Sequence, residues 1–282
     1  MAGYENASGH EATLDLPLPR LVEGRFSNLT AFTDEALFET CGVRIAFTER
    51  GGGSSAAPYD SLNLGAHVND DPACVEANRI ELLAALGAEN AQLIVPKQVH
   101  AADVAVCERE NDVVETRAFA AEGSDAVAVG CENVAALLCF ADCTPVIIVA
   151  PSGKFAVAHC GWRGVVYGAW ATALSTLCEI SGESAERFNV YIGPYIHACH
   201  FEVGPEVAKQ FVDSFGEASL ADERHVDMGA ALRIGLQSMG ISPERIADVN
   251  ICTVCDGGER FFSYRASGGV CGRHGAFACK MR

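Results

Sequence analysis

The sequence predicts a layered α/β sandwich in which mixed β-sheets are covered by helices. Three observations carry that reading. Short apolar runs bounded by turn residues recur along the chain, segments of helical period lie between them rather than in a separate block, and strands outnumber helices. The 282 residues suffice for a sizeable core. With no internal repeat and no convincing linker, the expected organisation is a flexible leader over residues 1–22 and a single catalytic domain over 23–282.

The leader lacks any periodicity. Residues 43–48 read as a strand. Arg50-Gly51-Gly52-Gly53-Ser54-Ser55 and Pro58-Tyr59-Asp60-Ser61-Leu62-Asn63-Leu64-Gly65 then form a long loop of a kind that often carries function. Asp70 or Asp71 can cap a helix running to about Leu86, with Pro72 at its start. Short strands are expected at 92–95, 103–107, 125–129, 134–140, 146–150, 155–159 and 188–192. Small and apolar residues at helical spacing predict one helix over 165–180, and further helices over 207–215 and 228–239. Residues 249–252 and 260–264 read as late strands.

Charge narrows the function. With 20 Lys+Arg against 37 Asp+Glu the formal charge is −17, a surface that repels phosphate backbones and argues against nucleic acid or an anionic membrane as partner. A neutral nucleoside or one small anion in a local pocket stays compatible. The longest apolar stretch, 134–150, is interrupted by Asp142 and Pro145 and reads as two buried strands rather than a membrane span. The 13 cysteines are odd in number and scattered, unlike a secreted disulfide framework, and most read as small buried hydrophobes. With no signal-peptide pattern at the N-terminus, a reducing cytoplasm is the expected compartment, and a monomer or small homo-oligomer the expected state.

The chemistry concentrates in Gln98-Val99-His100, Ala141-Asp142-Cys143-Thr144-Pro145 and Ala158-His159-Cys160-Gly161-Trp162-Arg163-Gly164. Each places a metal donor at the edge of an apolar strand-like run. Two imidazoles and one thiolate with no fourth ligand suit a catalytic zinc site, which keeps one position open. His100, Cys143 and His159 are therefore the candidate ligands, against the plain alternative of a core histidine and a buried cysteine. Asp142, on a run that otherwise reads as buried, either orients a ligand histidine, accepts a proton, or simply turns the chain ahead of Pro145. Arg50 on the glycine loop, Arg163, Arg265 and Arg273 offer an anion pocket if they converge. His200-Phe201-Glu202 with Cys252 and Cys255 partly matches a zinc nucleobase deaminase, but Ile251 stands where that signature has proline. Cys252, Cys255, Cys271 and Cys279 fail as a zinc ribbon because the last gap is too long. No nucleophile elbow, Walker loop or dinucleotide fingerprint is present.

An ordered series of motifs resembles the YfiH/YlmD family of laccase-domain, or multicopper polyphenol oxidase-type, proteins. The series is Thr48-Glu49-Arg50 with Gly52-Gly53, Pro58-Tyr59-x-Ser61-Leu62-Asn63-Leu64-Gly65, Gln98-Val99-His100, Ala141-Asp142-Cys143-x-Pro145, His159-x-Gly161-Trp162-Arg163-Gly164, Ile192-Gly193-Pro194, Cys199-x-Phe201-Glu202-Val203-Gly204 and Phe262-Ser263-Tyr264-Arg265. It departs from the usual pattern at Ser54, Ala57, Asn69 and Cys160, none of them a candidate ligand. The resemblance implies a zinc ion held by His100, Cys143 and His159. It also implies phosphorolysis of adenosine, inosine, guanosine and methylthioadenosine, and deamination of adenosine. On that reading Cys143, Asp142 and Arg50 are expected in catalysis, and Arg50, Asn63, Gln98, Arg163 and Arg265 in substrate contact. Two other activities use the same residues. A copper phenol oxidase takes two His and a Cys at a blue-copper centre, although a full laccase needs more imidazoles than 8 histidines readily supply. A cysteine hydrolase would use Cys143 as nucleophile and His159 as base.

Overall fold

The computed structural model describes residues 15–281. Strands β1 (Val22–Phe26), β2 (Leu29–Thr33) and β3 (Val43–Thr48) flank helix α1 (Glu35–Cys41). Helix α2 (Pro72–Ala85), strands β4 (Gln92–Ile94) and β5 (Val104–Cys107), and helix α3 (Val113–Glu122) follow. Strands β6 (Ala126–Val129), β7 (Val134–Phe140), β8 (Thr144–Val149) and β9 (Phe155–Cys160) run nearly without interruption into helices α4 (Trp162–Tyr167) and α5 (Ala169–Ser181). The remainder is β10 (Asn189–Ile192), α6 (Pro205–Phe215), α7 (Met228–Ser238), β11 (Ile246–Asp248) and β12 (His274–Lys280).

The strands form two six-stranded mixed sheets, ordered β1-β2-β3-β12-β7-β4 and β11-β10-β8-β9-β6-β5. Their inner faces meet: Ile45, Phe47, Leu138 and Ala276 of the first sheet share one core with Val127, Ile147, Phe155 and Val157 of the second. The alternate residues point outward. Ala46, Leu137 and Phe277 pack on Leu82 of α2, while Val146, Ala158 and Val190 pack on Trp170 and Leu174 of α5 and Leu232 of α7. Four layers result, helix–sheet–sheet–helix, because each central strand must bury both faces. Among the described residues no helix is long and apolar enough to cross a membrane.

Most expected elements occur within a residue or two of their expected ends, and Asp71 is the residue that caps α2, accepting from the Ala73 amide. The differences have physical reasons. The expected helix over 165–180 is two helices, broken where Gly168 takes a left-handed φ of 82°. Residues 249–252 and 260–264 are not strands; the Arg260 and Phe261 amides donate instead to the Asp256 carboxylate, so this segment buries its rings as a turn. Strand β12 had no sequence signal, although it lies at the centre of its sheet, between β3 and β7. Its small residues are buried on both sides and show no alternation. Residues 1–14 of the expected leader lie outside the described residues. The rest of it packs: Leu16 is buried, and the Asn189 side chain donates to the Pro17 carbonyl at 2.7 Å.

β12 opens on His274, which is fully buried beside Phe261, with only the Pro194 backbone near enough to its ring for a weak hydrogen bond. Burial, and then the neighbouring Arg273 charge, pushes its pKa down to about 3. The unfolded chain takes up a proton at this residue below about pH 6.5, and the folded chain does not. This contribution to stability is therefore complete above about pH 6.5 and is lost as pH falls toward 3. Between pH 7 and 5, His274→Gln should lose about 2 kcal/mol less unfolding free energy than the parent chain. Urea titrations of both proteins at the two pH values measure the difference.

Candidate metal centre

The open end of the sandwich gathers His100, Cys143 and His159, whose ligand atoms lie within 4.8 Å of one another. His159 is the penultimate residue of β9 and is paired with Pro145 of β8, while Thr144 is paired with Cys160. Cys143, one residue ahead of β8, therefore comes against Gly161. His100 reaches in from the loop after β4, with φ 60°, and its ring meets the His159 ring edge-on at 4.8 Å between centroids.

One carboxylate organises both imidazoles. Asp125, wholly buried at the start of β6, accepts from the Val99, His100 and Ala101 amides at 3.1, 3.0 and 2.7 Å, and bonds His159 Nδ1 at 2.8 Å. Burial alone would raise its carboxyl pKa, but the His159 bond and the amides outweigh it and hold the group ionised. Donation from Nδ1 leaves His159 Nε2 as the ring's free lone pair. Burial would lower the His159 pKa, but the Cys143 and Asp125 charges raise it to about 9, so protons compete for this nitrogen. Burial, then the nearby His159, lowers the His100 pKa.

The residues fit a metal ion. The donor set is two nitrogens and a sulfur, and the cradle is cut to size: a Cβ on Gly161 would stand 2.8 Å from His100 Nδ1 and 3.0 Å from Cys143 Sγ. Gly161 has ordinary φ and ψ of −62° and 171°, so alanine suits the backbone but not the donors. Gly161→Ala should weaken metal binding more than about tenfold with little loss of thermal stability; competitive chelator titration and a melting curve check both.

A cavity of about 440 Å³ opens on these donors, of a size usual for small-molecule sites. Its lining includes His67, Gln98, Asp142, Ile196, Phe201, Tyr264, Arg265 and Arg273. A smaller hollow of about 330 Å³ shares His67 and Gln98 and adds Arg79 and Lys97. A larger one, about 960 Å³, shares none of the metal donors.

The structure separates the remaining expected residues. Gln98 lines the cavity, its amide clasped to the Cys139 backbone at 2.8 and 2.9 Å. Arg265 lines it too, donating to the His200 carbonyl at 2.9 Å. Arg50 does not: its guanidinium is held by the Asp60 carboxylate and carbonyl and the Gly258 carbonyl, and it stacks on Phe262. Asn63 is a buried loop brace, accepting from the Gly65 and Arg273 amides. Arg163 is exposed over the Trp162 ring, outside the cavity lining. The Asp142 carboxylate accepts from the Thr253 hydroxyl at 2.6 Å and the Arg265 amide at 2.7 Å, with φ 84°. It orients no histidine; that part falls to Asp125, which the sequence reading did not single out. His67, Tyr264 and Arg273 also enter the lining; of these, the sequence marks only Arg273 as a candidate binding group.

Comparisons with known proteins agree on one group. The family model described as multi-copper polyphenol oxidoreductase laccase matches residues 44–280. A protein of Pseudomonas aeruginosa named purine nucleoside phosphorylase PA4543 is 36% identical, over 84% of this chain and 91% of its own length. A protein of an unknown prokaryotic organism named adenosine deaminase RL5 is 32% identical, over 82% and 92%. The crystal structure of YlmD from Geobacillus stearothermophilus superposes with a TM-score of 0.80 at 27% identity, covering 94% of this chain and all of that one.

Proposed function

The chain belongs to the multi-copper polyphenol oxidoreductase laccase family, in its YfiH group, and from that premise we propose that it is a zinc-dependent purine nucleoside phosphorylase that also deaminates adenosine. The observation that carries this is a three-donor centre at the wall of a nucleoside-sized cavity. Relatives named for both activities support the enzyme class.

His100, Cys143 and His159 would hold the ion, which when bound supplies Lewis acidity at the cavity wall. Asp125 keeps His159 in the tautomer that turns Nε2 toward the donors. Phe201 and Tyr264 bring aromatic rings to the lining, each with a guanidinium over it (Arg265 at 5.9 Å and Arg273 at 5.8 Å from the centroids), and Gln98 is fixed in orientation at the same wall. Arg265 and Arg273 place positive charge in the cavity of a chain with net charge −17, which suits phosphate as co-substrate; burial and the Arg273 charge lower the His67 pKa, so that ring enters the lining as a neutral group. Hydrogen phosphate so held would attack C1′ of the ribose as the C–N bond to the base breaks, and the proton it gives up, passed on directly or through water, would leave on the base nitrogen.

Zinc suits this donor set better than copper. A blue-copper centre adds a weak axial ligand, methionine or else a glutamine or backbone oxygen; among the described residues no methionine lines the cavity, and the Gln98 amide there is already taken up by the Cys139 backbone. The experiment is to strip the metal, reload zinc or copper, and supply adenosine with phosphate. Adenine with ribose 1-phosphate, and inosine, should form with zinc; neither product with either metal would refute the proposal. Arg273→Ala should raise KM for phosphate about 10- to 100-fold and leave KM for nucleoside nearly unchanged, the loss expected for a charge-assisted contact. Initial rates at varied phosphate measure it.

One observation favours a second reading. His159 stands between Asp125 and Cys143, the order of orienter, base and nucleophile in a cysteine hydrolase. That reading leaves His100 without a part.

A further inference from the structure

A second cluster lies outside the cavity. The ligand atoms of Cys199, His200, Cys252 and Cys255 are all within 4.8 Å of one another. We propose that these four side chains form a closed structural zinc site that pins together the two loops walling the cavity.

The fold brings them together from two parallel strands. β10 and β11 are neighbours, and their pairing continues past the strand ends through the Tyr195–Cys252 bridge. Each chain then turns, and the turns carry Cys199-His200 and Cys252-x-x-Cys255. The Cys199 sulfur is 3.7 Å from that of Cys252 and 3.5 Å from that of Cys255. His200 Nδ1 is 3.2, 3.8 and 3.4 Å from the sulfurs of Cys199, Cys252 and Cys255. A zinc tetrahedron with bonds of about 2.3 Å to sulfur and 2.0–2.1 Å to nitrogen has edges of about 3.8 Å between sulfurs and about 3.6 Å between sulfur and nitrogen. Four of the five distances are shorter than those edges, by at most about 0.4 Å, and the His200–Cys252 distance of 3.8 Å is slightly longer.

The thiols are free, and their surroundings suit an ion. The His197 amide donates to the Cys252 sulfur at 3.4 Å, and the Cys255 and Val254 amides bond it as well. Three thiols this close resist ionising together unless a cation sits among them; binding would release their protons to solvent.

The site is closed, not catalytic. A deaminase centre of this type takes one His and two Cys, leaves the fourth position to water and uses a glutamate as acid and base. Here Cys199 supplies the fourth ligand, and Glu202 is ion-paired with Arg224. What the ion would hold is the cavity wall. Ile196 and Phe201 flank the first pair of ligands and line the cavity. On the other turn the Thr253 hydroxyl bonds Asp142, next to Cys143. The Arg265 guanidinium reaches the His200 carbonyl.

The test uses the full chain purified under reducing conditions, with zinc content measured by mass spectrometry and cobalt(II) as a spectroscopic probe. His100→Ala/Cys143→Ser dismantles the first centre whatever it binds, so the result does not depend on the proposed activity. This variant should still carry about one zinc per chain. Its cobalt form should show the intense visible bands of a tetrahedral ion with thiolate charge transfer. Cys199→Ser/Cys255→Ser should hold one zinc fewer per chain than the parent and melt at a lower temperature, and the same two changes added to His100→Ala/Cys143→Ser should abolish those bands. A His100→Ala/Cys143→Ser protein without zinc and with featureless cobalt spectra would overturn the proposal. So would unchanged zinc content in Cys199→Ser/Cys255→Ser, or a Cys199–Cys255 disulfide in the chain as isolated. Should Cys199→Ser/Cys255→Ser not fold, the His100→Ala/Cys143→Ser spectra alone decide.

Discussion

His100→Ala should lower kcat/KM for adenosine phosphorolysis more than about a thousandfold while the protein stays folded. His100 is exposed on a loop, and the contact that anchors this position to Asp125 is made by its backbone amide, which alanine keeps. Alanine and histidine bear similar strain at φ 60°. What disappears is one of the three proposed metal donors. Two donors bind zinc far more weakly, and Lewis acidity worth several kcal/mol corresponds to a loss of this size. The same variant separates the two chemistries. A hydrolase built on Cys143, His159 and Asp125 would lose less than about tenfold, because His100 would be only a neighbour. Steady-state rates on adenosine with phosphate, beside a melting curve, give the answer.

Asp125→Asn should weaken zinc binding about 10- to 100-fold and cost about 3 kcal/mol of stability. One carboxylate oxygen accepts the Val99 and Ala101 amides; the other accepts the His100 amide and bonds the His159 ring. An amide group has an acceptor for only one of these pairs. If its NH2 faces Val99 and Ala101, donors meet donors and the His100 loop is released. If it faces His159, the ring must accept at Nδ1, which moves its proton to Nε2, the nitrogen needed for the metal. Either orientation damages the centre without removing a ligand. Chelator competition measures the affinity, and urea unfolding the stability.

What the sequence made legible follows from where physical signals are local. His100, Cys143 and His159 each stand at the edge of an apolar run, and the donor chemistry of two His and one Cys points to them independently of any family resemblance. Asp125 was not singled out because its partners are 24 to 34 residues away and an Asp ahead of a strand looks like a turn residue. Its one signal was position: a carboxylate opening a run that is buried throughout needs partners. Arg50 misled in the opposite sense. An arginine on a glycine-rich loop suggests an anion site, but Asp60, ten residues on, takes its charge. Strand β12 was missed because small residues buried on both faces carry no period. The Cys199 cluster was legible in part: the incomplete deaminase signature already groups His200 with Cys252 and Cys255, but nothing in it marks Cys199, the ligand that closes the set, which meets those sulfurs only across more than fifty residues.

The most direct measurement is diffraction at the zinc absorption edge from crystals soaked with inosine. An anomalous peak should lie about 2.0–2.3 Å from His100, Cys143 and His159, with the purine in the cavity of about 440 Å³ beside it. A purine bound elsewhere, with no peak among these three donors, would contradict the assignment.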